Sequence, residues 1–298
     1  MTTPELRRES PASGVSRLAT SAYAYLQLVR LPQVFVVIAG SLIGAKLAGL
    51  NMLPVTTIAL VIGSNSLLFC ASIAFNDWHD VVEDAVNQPA RPIPSGRVAR
   101  GRALGAAIVM FACALVLALG VSWKMAVLAV AVCLLSVGYT VRWKPVPLFG
   151  NAVVAALSAY PLWCWLALDA QSGEGFGVLI LGCFVFRLGA ELVKTGEDHV
   201  GDRRAGISTV ATRKGADYAN RLGVMLMCAA LLLLLLFLAP QRSLVVSIGL
   251  VGSSMLAVGA CVWVVRNNVA RHDASRRLVG VGRTIMVVMV TALLLDVR

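Results

Sequence analysis

Charged residues are scarce in this chain of 298 residues: only 14% are Asp, Glu, Lys or Arg, whereas 58% are apolar. A soluble globular domain carries about 25% charged residues, so a chain of this length cannot cover a water-facing surface with so few. The same scarcity argues against a disordered or nucleic-acid-binding protein, although the formal net charge is +11. The composition therefore indicates an integral membrane protein with no nucleic-acid partner.

The sequence also lacks cysteine motifs. Its seven cysteines stand alone in apolar segments, with neither a Cys-x-x-Cys pair nor the Cys/His spacing of a zinc site. This pattern excludes a disulfide framework, and we expect the cysteines to act as small buried hydrophobic residues.

Long apolar segments take up most of the chain. A helix needs roughly 20 mainly apolar residues to cross a bilayer. About nine segments reach this length, at roughly 29–50, 53–75, 102–121, 123–141, 150–168, 176–194, 217–239, 243–265 and 279–297. Residues 1–20 are a polar tail without a signal-peptide pattern. The predicted fold is an all-α integral membrane protein, a bundle of about nine transmembrane helices in a single domain, 1–298.

Lysine and arginine are distributed unevenly around these segments. If the segments cross the membrane in turn, 21 basic residues lie on the side of the N-terminus and 4 on the other side. Because cytoplasmic loops are enriched in Lys and Arg, we expect a cytoplasmic N-terminus and a multi-pass protein of the cell (inner) membrane. The basic side can also attract anionic membrane lipid.

Of the 15 carboxylates, eight gather in two clusters on this basic side. The first cluster, which follows the second span, is Asp77, Asp80, Glu83 and Asp84. The second, which ends the sixth span, is Glu191, Glu197, Asp198 and Asp202. Carboxylates in or beside a span are costly and usually face a cavity or a charged partner.

The spacing of these residues indicates what they hold. Asn76, Asp80 and Asp84 follow one another at four-residue steps, as do Asp198 and Asp202, so each set lies on one helix face. Aligned carboxylates repel unless a cation lies between them, and Mg²⁺ suits one or two carboxylates with phosphate oxygens and water. The clusters therefore predict an active site that clamps a diphosphate through Mg²⁺, the alternative being solvated helix ends paired with arginine.

Basic residues on the same side can neutralise the phosphate oxygens. The candidates are Arg91, Lys144, Lys194, Arg203 and Arg204, each of which can alternatively be a topology anchor. The segment 87–96 contains Pro89, Pro92 and Pro94, which exclude a helix. We expect a structured loop that carries Asn87 and Arg91 over the site.

These motifs resemble those of the UbiA-type membrane prenyltransferases. The first motif is Asn76-Asp77-x-x-Asp80-x-x-x-Asp84, followed by the loop Asn87-x-Pro89-x-Arg91-Pro92-Ile93-Pro94-Ser95-Gly96. The second is Asp198-x-x-x-Asp202-Arg203-x-x-Gly206-x-x-Thr209. Weaker similarities are Leu28-x-Arg30, Tyr139, Lys144 and the pair Gly150-Asn151. The resemblance covers nearly the whole chain, and nine helices is the architecture of that family.

The resemblance implies a reaction. A polyprenyl diphosphate donor binds between the Asp motifs through Mg²⁺, its allylic C–O bond ionises, and a hydrophobic acceptor captures the cation as pyrophosphate leaves. It implies Mg²⁺ and diphosphate ligands at Asp77, Asp80, Asp84, Asp198 and Asp202. It implies diphosphate contacts at Asn76, Arg91, Lys144, Lys194 and Arg203. Tyr139 then lies beside the reacting carbon or is a buried packing residue.

The acceptor is left open by the resemblance. The loop is similar to that of the chlorophyll synthases and the archaeal ether-lipid enzymes, and Glu191-x-x-Lys194-x-x-Glu197-Asp198 resembles the ether-lipid branch more. The chain departs from that branch at Thr195 and Val200, where an Asp and a Glu are usual. Both a lipid-like alcohol and an aromatic quinone precursor remain candidates.

Three other functions compete with prenyl transfer. A terpene cyclase would use the same motifs without an acceptor, but it needs an aromatic pocket and only 7% of the residues are aromatic. A phosphoribosyltransferase would act on a lipid phosphate. A transporter would carry charges at the membrane midplane, whereas here they gather at one face. Prenyl chain length, pathway and oligomeric state are left open by the sequence.

Overall fold

The computed structural model describes residues 22–47, 53–168, 175–204, 206–267 and 272–296. The predicted polar tail, 1–20, lies outside the described residues. Within them the chain is helical and forms no β-strand. Eight helices are long and apolar enough to cross a membrane, and a bent pair near the N-terminus makes a ninth candidate if the pair is one span. The expected all-α membrane architecture is confirmed.

The helices follow one another with short connections. Their bounds are α1 Ala22–Leu28, α2 Leu31–Leu47, α3 Val55–His79, α4 Val81–Asn87, α5 Arg100–Val121, α6 Trp123–Gly138, α7 Phe149–Trp163, α8 Phe176–Arg204, α9 Val210–Lys214, α10 Ala216–Phe237, α11 Leu244–Arg266 and α12 His272–Leu294. A π-helical turn, Tyr139–Trp143, extends α6, and 3₁₀ turns follow α7 and α10.

The first span is bent where α1 meets α2. The two helix axes differ by 51°, and Arg30 between them has a φ of 52°. A side chain in this left-handed region carries backbone strain, so the surrounding contacts must hold Arg30 in place.

The two acidic motifs lie on helices that belong to different packing groups. Helix α3 packs against α5, α6 and α2, whereas α8 packs against α10, α7 and α12. Helix α2 contacts α3, α7 and α12 and so links the two groups. Large apolar side chains such as Phe35, Val116 and Leu134 are exposed on the outer faces, as expected for a surface in contact with lipid.

Glycines allow α8 and α10 to approach closely. Gly182, Gly189 and Gly196 recur every seven residues along one face of α8. A Cβ atom added to Gly189 would lie 2.5 Å from the carbonyl oxygen of Gly223 on α10, and one added to Gly182 would lie 2.6 Å from a methyl of Leu234. Small residues at such positions are the usual means of close helix packing in membranes. The opposite face of α8 is thereby turned away from α10.

Two helix boundaries differ from the expectation and affect the site. The sixth predicted span ended at 194, but α8 continues without interruption to Arg204, so the second acidic motif lies on the same helix as the span. The loop predicted for 87–96 begins one residue later, because Asn87 is the last residue of α4. Its side chain lies outside the described residues.

Candidate active site

The first acidic motif lies where α3 meets α4. The break falls at Asp80, but the N–H of Asp80 still donates to the carbonyl of Asn76, and the N–H of Asp84 donates to that of Asp80. The helical path therefore continues across the break, and Asp77, Asp80 and Asp84 share one face. All three are buried, with 3–7% of their surface exposed.

Cations of the chain neutralise these carboxylates. An Nη of Arg30 lies 3.0 Å from Asp77 Oδ1, and an Nη of Arg91 lies 3.2 Å from the same oxygen. Arg91 also reaches Asp84 at 2.5 Å. Buried charges require such partners, because an unpaired carboxylate in a low dielectric is very costly.

Arg91 owes its position to the proline-rich loop. The Oγ of Ser95 donates to the carbonyl of Arg91 at 2.7 Å, and the N–H of Val98 donates to the carbonyl of Pro92. Ile93 and Val98 are buried against Ala24 and Leu28 of α1. These hydrogen bonds hold the loop in a tight turn, and Arg91 points at the carboxylates. We expected a structured loop that carries Arg91 over the site, and the described loop has this form.

Lys144 reaches the motif from the opposite side. Its Nζ lies 2.7 Å from Asp80 Oδ2 and 2.8 Å from Glu83 Oε2. The backbone N–H of Lys144 donates to the carbonyl of Tyr139, which closes the π-helical turn; such turns often occur at functional sites. Asn76 Nδ2 donates to the same Asp80 oxygen at 2.8 Å.

Two pKa values at the membrane surface reflect this arrangement. Burial alone would lower the pKa of Lys144, but the carboxylates of Asp80 and Glu83 outweigh it and raise that pKa above its ordinary value. Lys144 is therefore an ammonium group at neutral pH. At Asp84, burial raises the pKa of the carboxyl although Arg91 opposes this shift.

The second motif, on α8, faces the first. Glu83 lies within electrostatic reach of both Asp198 and Asp202, and Lys144 within reach of Asp202. Tyr139 is within electrostatic reach of Asp80 and Glu83 in the first cluster and of Glu191 on α8. The structure therefore brings both predicted acidic clusters and Tyr139 to one site.

The predicted basic residues of α8 are placed differently from Arg91 and Lys144. Lys194 is exposed and within electrostatic reach of Asp198 and Asp202. Arg203 is also exposed, and it forms no ion pair with any residue that the structure describes. Its diphosphate contact stays a prediction.

The sequence assigned no individual contact at the site to Arg30 or Glu83. Arg30 had a weak signal as part of Leu28-x-Arg30, but its contact with Asp77 depends on the bend between α1 and α2. Glu83 was one of several acids in its cluster, and only the position of the π-helical turn pairs it with Lys144.

The site has the chemistry of a magnesium site without a preformed cage. In the described parts of the chain, no three His, Cys, Asp or Glu side chains converge tightly enough to hold a metal ion. Asp198 and Asp202 have no ion-pair partner among the described residues and are four residues apart on α8. Mg²⁺ is commonly held by one or two carboxylates plus phosphate oxygens, so this open pair fits it, whereas Asp77, Asp80 and Asp84 already hold chain cations.

Comparison with known proteins agrees with this geometry. The model of the UbiA prenyltransferase family matches residues 34–282. The digeranylgeranylglyceryl phosphate synthase of Ignicoccus hospitalis is 36% identical over 228 residues, which are 74% of this chain and 74% of the relative. That of Sulfolobus acidocaldarius is 32% identical over 208 residues, 65% of this chain and 70% of the relative.

Solved structures share the fold at low sequence identity. A digeranylgeranylglyceryl phosphate synthase structure superposes with a TM-score of 0.71 at 20% identity, covering 93% of this chain and 97% of that one. A UbiA homologue from Archaeoglobus fulgidus bound to GPP and Mg²⁺ has a TM-score of 0.61 at 16% identity, covering 91% of this chain and 100% of that one. At these identities the similarity establishes the fold.

Proposed function

The chain belongs to the UbiA prenyltransferase family, and on that premise we propose that it transfers a prenyl group from a prenyl diphosphate to the hydroxyl of a phosphate-bearing lipid, with Mg²⁺ as the divalent ion. The observation that carries the proposal is the placement of Asp198 and Asp202 within electrostatic reach of Glu83 in the first cluster, with Lys144 in contact with Asp80 and within reach of Asp202.

The donor's diphosphate is held by this chain's own charges. Asp198 and Asp202 would hold Mg²⁺, and the ion would neutralise the charge that develops on the leaving pyrophosphate. Lys144, Arg91 and Arg30 are the cations that contact the first motif, and they exchange part of their carboxylate contacts for phosphate oxygens when donor binds. Hydrogen-bond donors and cations that point at the charge developing in the transition state are an effective source of catalysis.

The allylic carbon of the donor must be protected from water. The prenyl tail is apolar and extends away from the diphosphate towards the membrane interior, where the core side chains are hydrophobic. The aromatic ring of Tyr139 lies beside the site and offers a π face to the allylic cation. Exclusion of water leaves the acceptor as the nucleophile.

A lipid hydroxyl is the acceptor that the comparisons favour. Several relatives at 28–36% identity are named digeranylgeranylglyceryl phosphate synthase, and the product in that name is a glyceryl phosphate carrying two prenyl chains. We therefore assign to this chain a glyceryl phosphate ether, or a lipid alcohol like it, as acceptor. Thr195 and Val200, where the ether-lipid branch usually has an Asp and a Glu, are the positions at which the acceptor or the Mg²⁺ ligands of this chain can differ from that branch.

The orientation follows from the excess of basic residues on one side. The loop with Arg91 and the end of α8 with Arg203 and Arg204 lie on the basic side, so we place the active site at the cytoplasmic face of the cell membrane. The charged diphosphate of the donor then lies at the cytoplasmic face.

The test offers purified protein in detergent geranyl, farnesyl and geranylgeranyl diphosphate with Mg²⁺, with and without a prenylated glyceryl phosphate. We expect pyrophosphate release that depends on the acceptor, together with a labelled dialkyl product. Release without any acceptor, giving a cyclic hydrocarbon, would instead identify a terpene cyclase. An aromatic acceptor used in preference to the lipid alcohol would overturn the acceptor assignment.

A further inference from the structure

A second pair of charges lies deeper in the membrane than the diphosphate site. Arg187 and Glu191 are one helical turn apart within the apolar part of α8, and an Nη of Arg187 donates to Glu191 Oε1. The side chain of Glu191 is only 11% exposed. Ionisable residues inside a span are expensive and usually have a function, and nothing in the diphosphate chemistry above uses this pair.

The pair faces the reaction site. With 3.6 residues per turn, Arg187, Glu191, Asp198 and Asp202 share one face of α8, opposite the glycines that pack against α10. Glu191 is within electrostatic reach of Tyr139 and of Asp198. The carboxylate of Glu191 therefore lies on the same helix face as the second acidic motif and close to Tyr139.

Glu191 lies at the depth in the membrane at which the acceptor must react. Glu191 precedes Asp198 by seven residues, which places it about 10 Å further along the helix towards the membrane interior. The donor's diphosphate lies at Asp198 and its tail runs inwards, so the reacting carbon lies just inside the diphosphate. The acceptor's hydroxyl has to meet that carbon on the Glu191 side.

We propose that Glu191 is the base that takes the proton of the acceptor's hydroxyl, and that Arg187 is a positioning residue that holds the carboxylate. This inference rests on the proposed transfer to a hydroxyl. In the step, the C–O bond to the diphosphate breaks and its electron pair leaves with pyrophosphate. The acceptor oxygen forms a new C–O bond to the allylic carbon, and its proton passes to Glu191.

Arg187 suits the positioning role. Its Nη holds Glu191 from one turn away, so a charge-assisted hydrogen bond orients the carboxylate in apolar surroundings. The Nε of Arg187 is buried and has no hydrogen-bond partner within the described structure. Its N–H group can therefore donate a hydrogen bond to an oxygen of the bound acceptor.

The experiment compares unmodified enzyme with Glu191→Gln, Arg187→Gln and Arg187→Lys, all purified in detergent. Three products are measured with a prenyl diphosphate and a prenylated glyceryl phosphate: pyrophosphate, the ether, and the prenol formed when water captures the cation. A positioned base contributes about 10²- to 10⁴-fold. We expect Glu191→Gln to lower ether formation at least about 100-fold, with the donor KM within about twofold and more prenol per pyrophosphate.

An acceptor with a thiol in place of the hydroxyl separates proton removal from packing. A thiol loses its proton far more readily than an alcohol, as the cysteine side chain with its pKa of about 8.5 shows, and so depends less on a base. We expect the defect of Glu191→Gln to shrink to less than about tenfold with this acceptor. Arg187→Gln should lower ether formation about tenfold, and Arg187→Lys should recover most of it.

The matched control is the pair Asp217 and Arg221 on α10. It has the same four-residue spacing, at 2.7 Å, but its side chains are 37% and 41% exposed, compared with 11% for Glu191. Asp217→Asn should leave all three products unchanged. Thermal unfolding of each variant in detergent reports whether it is folded.

The outcomes separate the two claims. If unmodified enzyme forms no ether, the proposed acceptor fails, and the inference fails with it. If unmodified enzyme forms ether and Glu191→Gln does so within about twofold, or loses transfer equally with hydroxyl and thiol acceptors, only the role of Glu191 is overturned.

Discussion

At the scale of single residues, the site is built from carboxylates that the chain neutralises itself. Asp77, Asp80 and Asp84 are buried and each contacts a cation of the chain, whereas Asp198 and Asp202 have no such partner among the described residues. The two motifs therefore have different roles. The first motif stores positive charge beside the site, and the second motif is open to a metal ion that arrives with the donor.

A substitution at Lys144 tests whether the first motif holds a cation for the diphosphate. Replacing it with Met removes an ammonium that lies 2.7 Å from Asp80 and 2.8 Å from Glu83. A charged hydrogen bond is worth about 1.5–3 kcal/mol, so we expect the donor KM to rise about 10- to 100-fold. Steady-state pyrophosphate release against donor concentration measures this.

Lys214 supplies the control for Lys144. It lies over the ring of Tyr218, outside the acidic motifs. Lys214→Met should leave the donor KM unchanged, and a Lys144→Met variant with an unchanged donor KM would remove Lys144 from the diphosphate contacts.

The sequence predicted these residues unequally. The acidic stripes were readable because four-residue spacing on a helix places side chains on one face whatever the tertiary structure. The contact of Arg30 with Asp77 was not readable, because it depends on a strained backbone at a helix bend. Likewise the pairing of Lys144 with Glu83 depends on a π-helical turn, which has no clear sequence pattern.

At the scale of elements, α8 has two opposed faces with separate tasks. One face carries glycines that let α10 approach to backbone contact, and the other carries Arg187, Glu191, Asp198 and Asp202. The close packing fixes the rotation of the helix, and that rotation presents the charges to the site. The sequence predicted this span but ended it at 194, because the apolar pattern stops where the charged residues begin. The backbone hydrogen bonds of the helix continue beyond that point, to Arg204.

A substitution at Gly189 tests the close packing of α8 against α10. In Gly189→Ala the new Cβ would lie 2.5 Å from the carbonyl oxygen of Gly223, so α8 and α10 must separate. Overpacking of this kind costs about 1–3 kcal/mol. We expect a lower unfolding temperature in detergent and reduced transfer, because α8 also positions the second motif.

Gly177 provides the comparison on the same helix. Nothing lies within 4 Å of a Cβ added there, and Ala is favoured over Gly in a helix by about 0.5–1 kcal/mol. Gly177→Ala should therefore be neutral or slightly stabilising. Equal unfolding temperatures for the two variants would contradict the packing role of Gly189.

At the scale of the whole molecule, the apolar segments predicted the architecture well. Every predicted span overlaps a helix or a bent helix pair in the described residues, although the last helix begins at His272 and not at 279. Segment length alone largely decides this in a membrane, because each backbone polar group must be satisfied within its own helix. Which helices meet around the site was not predictable in this way, since the apolar faces of the spans resemble one another.

The orientation in the membrane is the prediction at this scale. Arg97 lies in the exposed loop after α4, and Thr56 is exposed at the opposite end of α3. We expect Arg97→Cys to react with a membrane-impermeant thiol reagent in inverted vesicles but not in intact spheroplasts, and Thr56→Cys to do the reverse. The unmodified chain, with its own seven cysteines, serves as the blank, and the opposite pattern would place the site outside.

The most direct measurement is pyrophosphate release by purified protein given a prenyl diphosphate and the lipid acceptor, as a function of Mg²⁺. We predict no release in EDTA and recovery when Mg²⁺ is restored. Asp80→Ala and Asp198→Ala should release at least about 100-fold less pyrophosphate than the unmodified chain while remaining folded. Metal-independent release, or near-normal activity of either folded variant, would contradict a diphosphate site shared between the two acidic motifs.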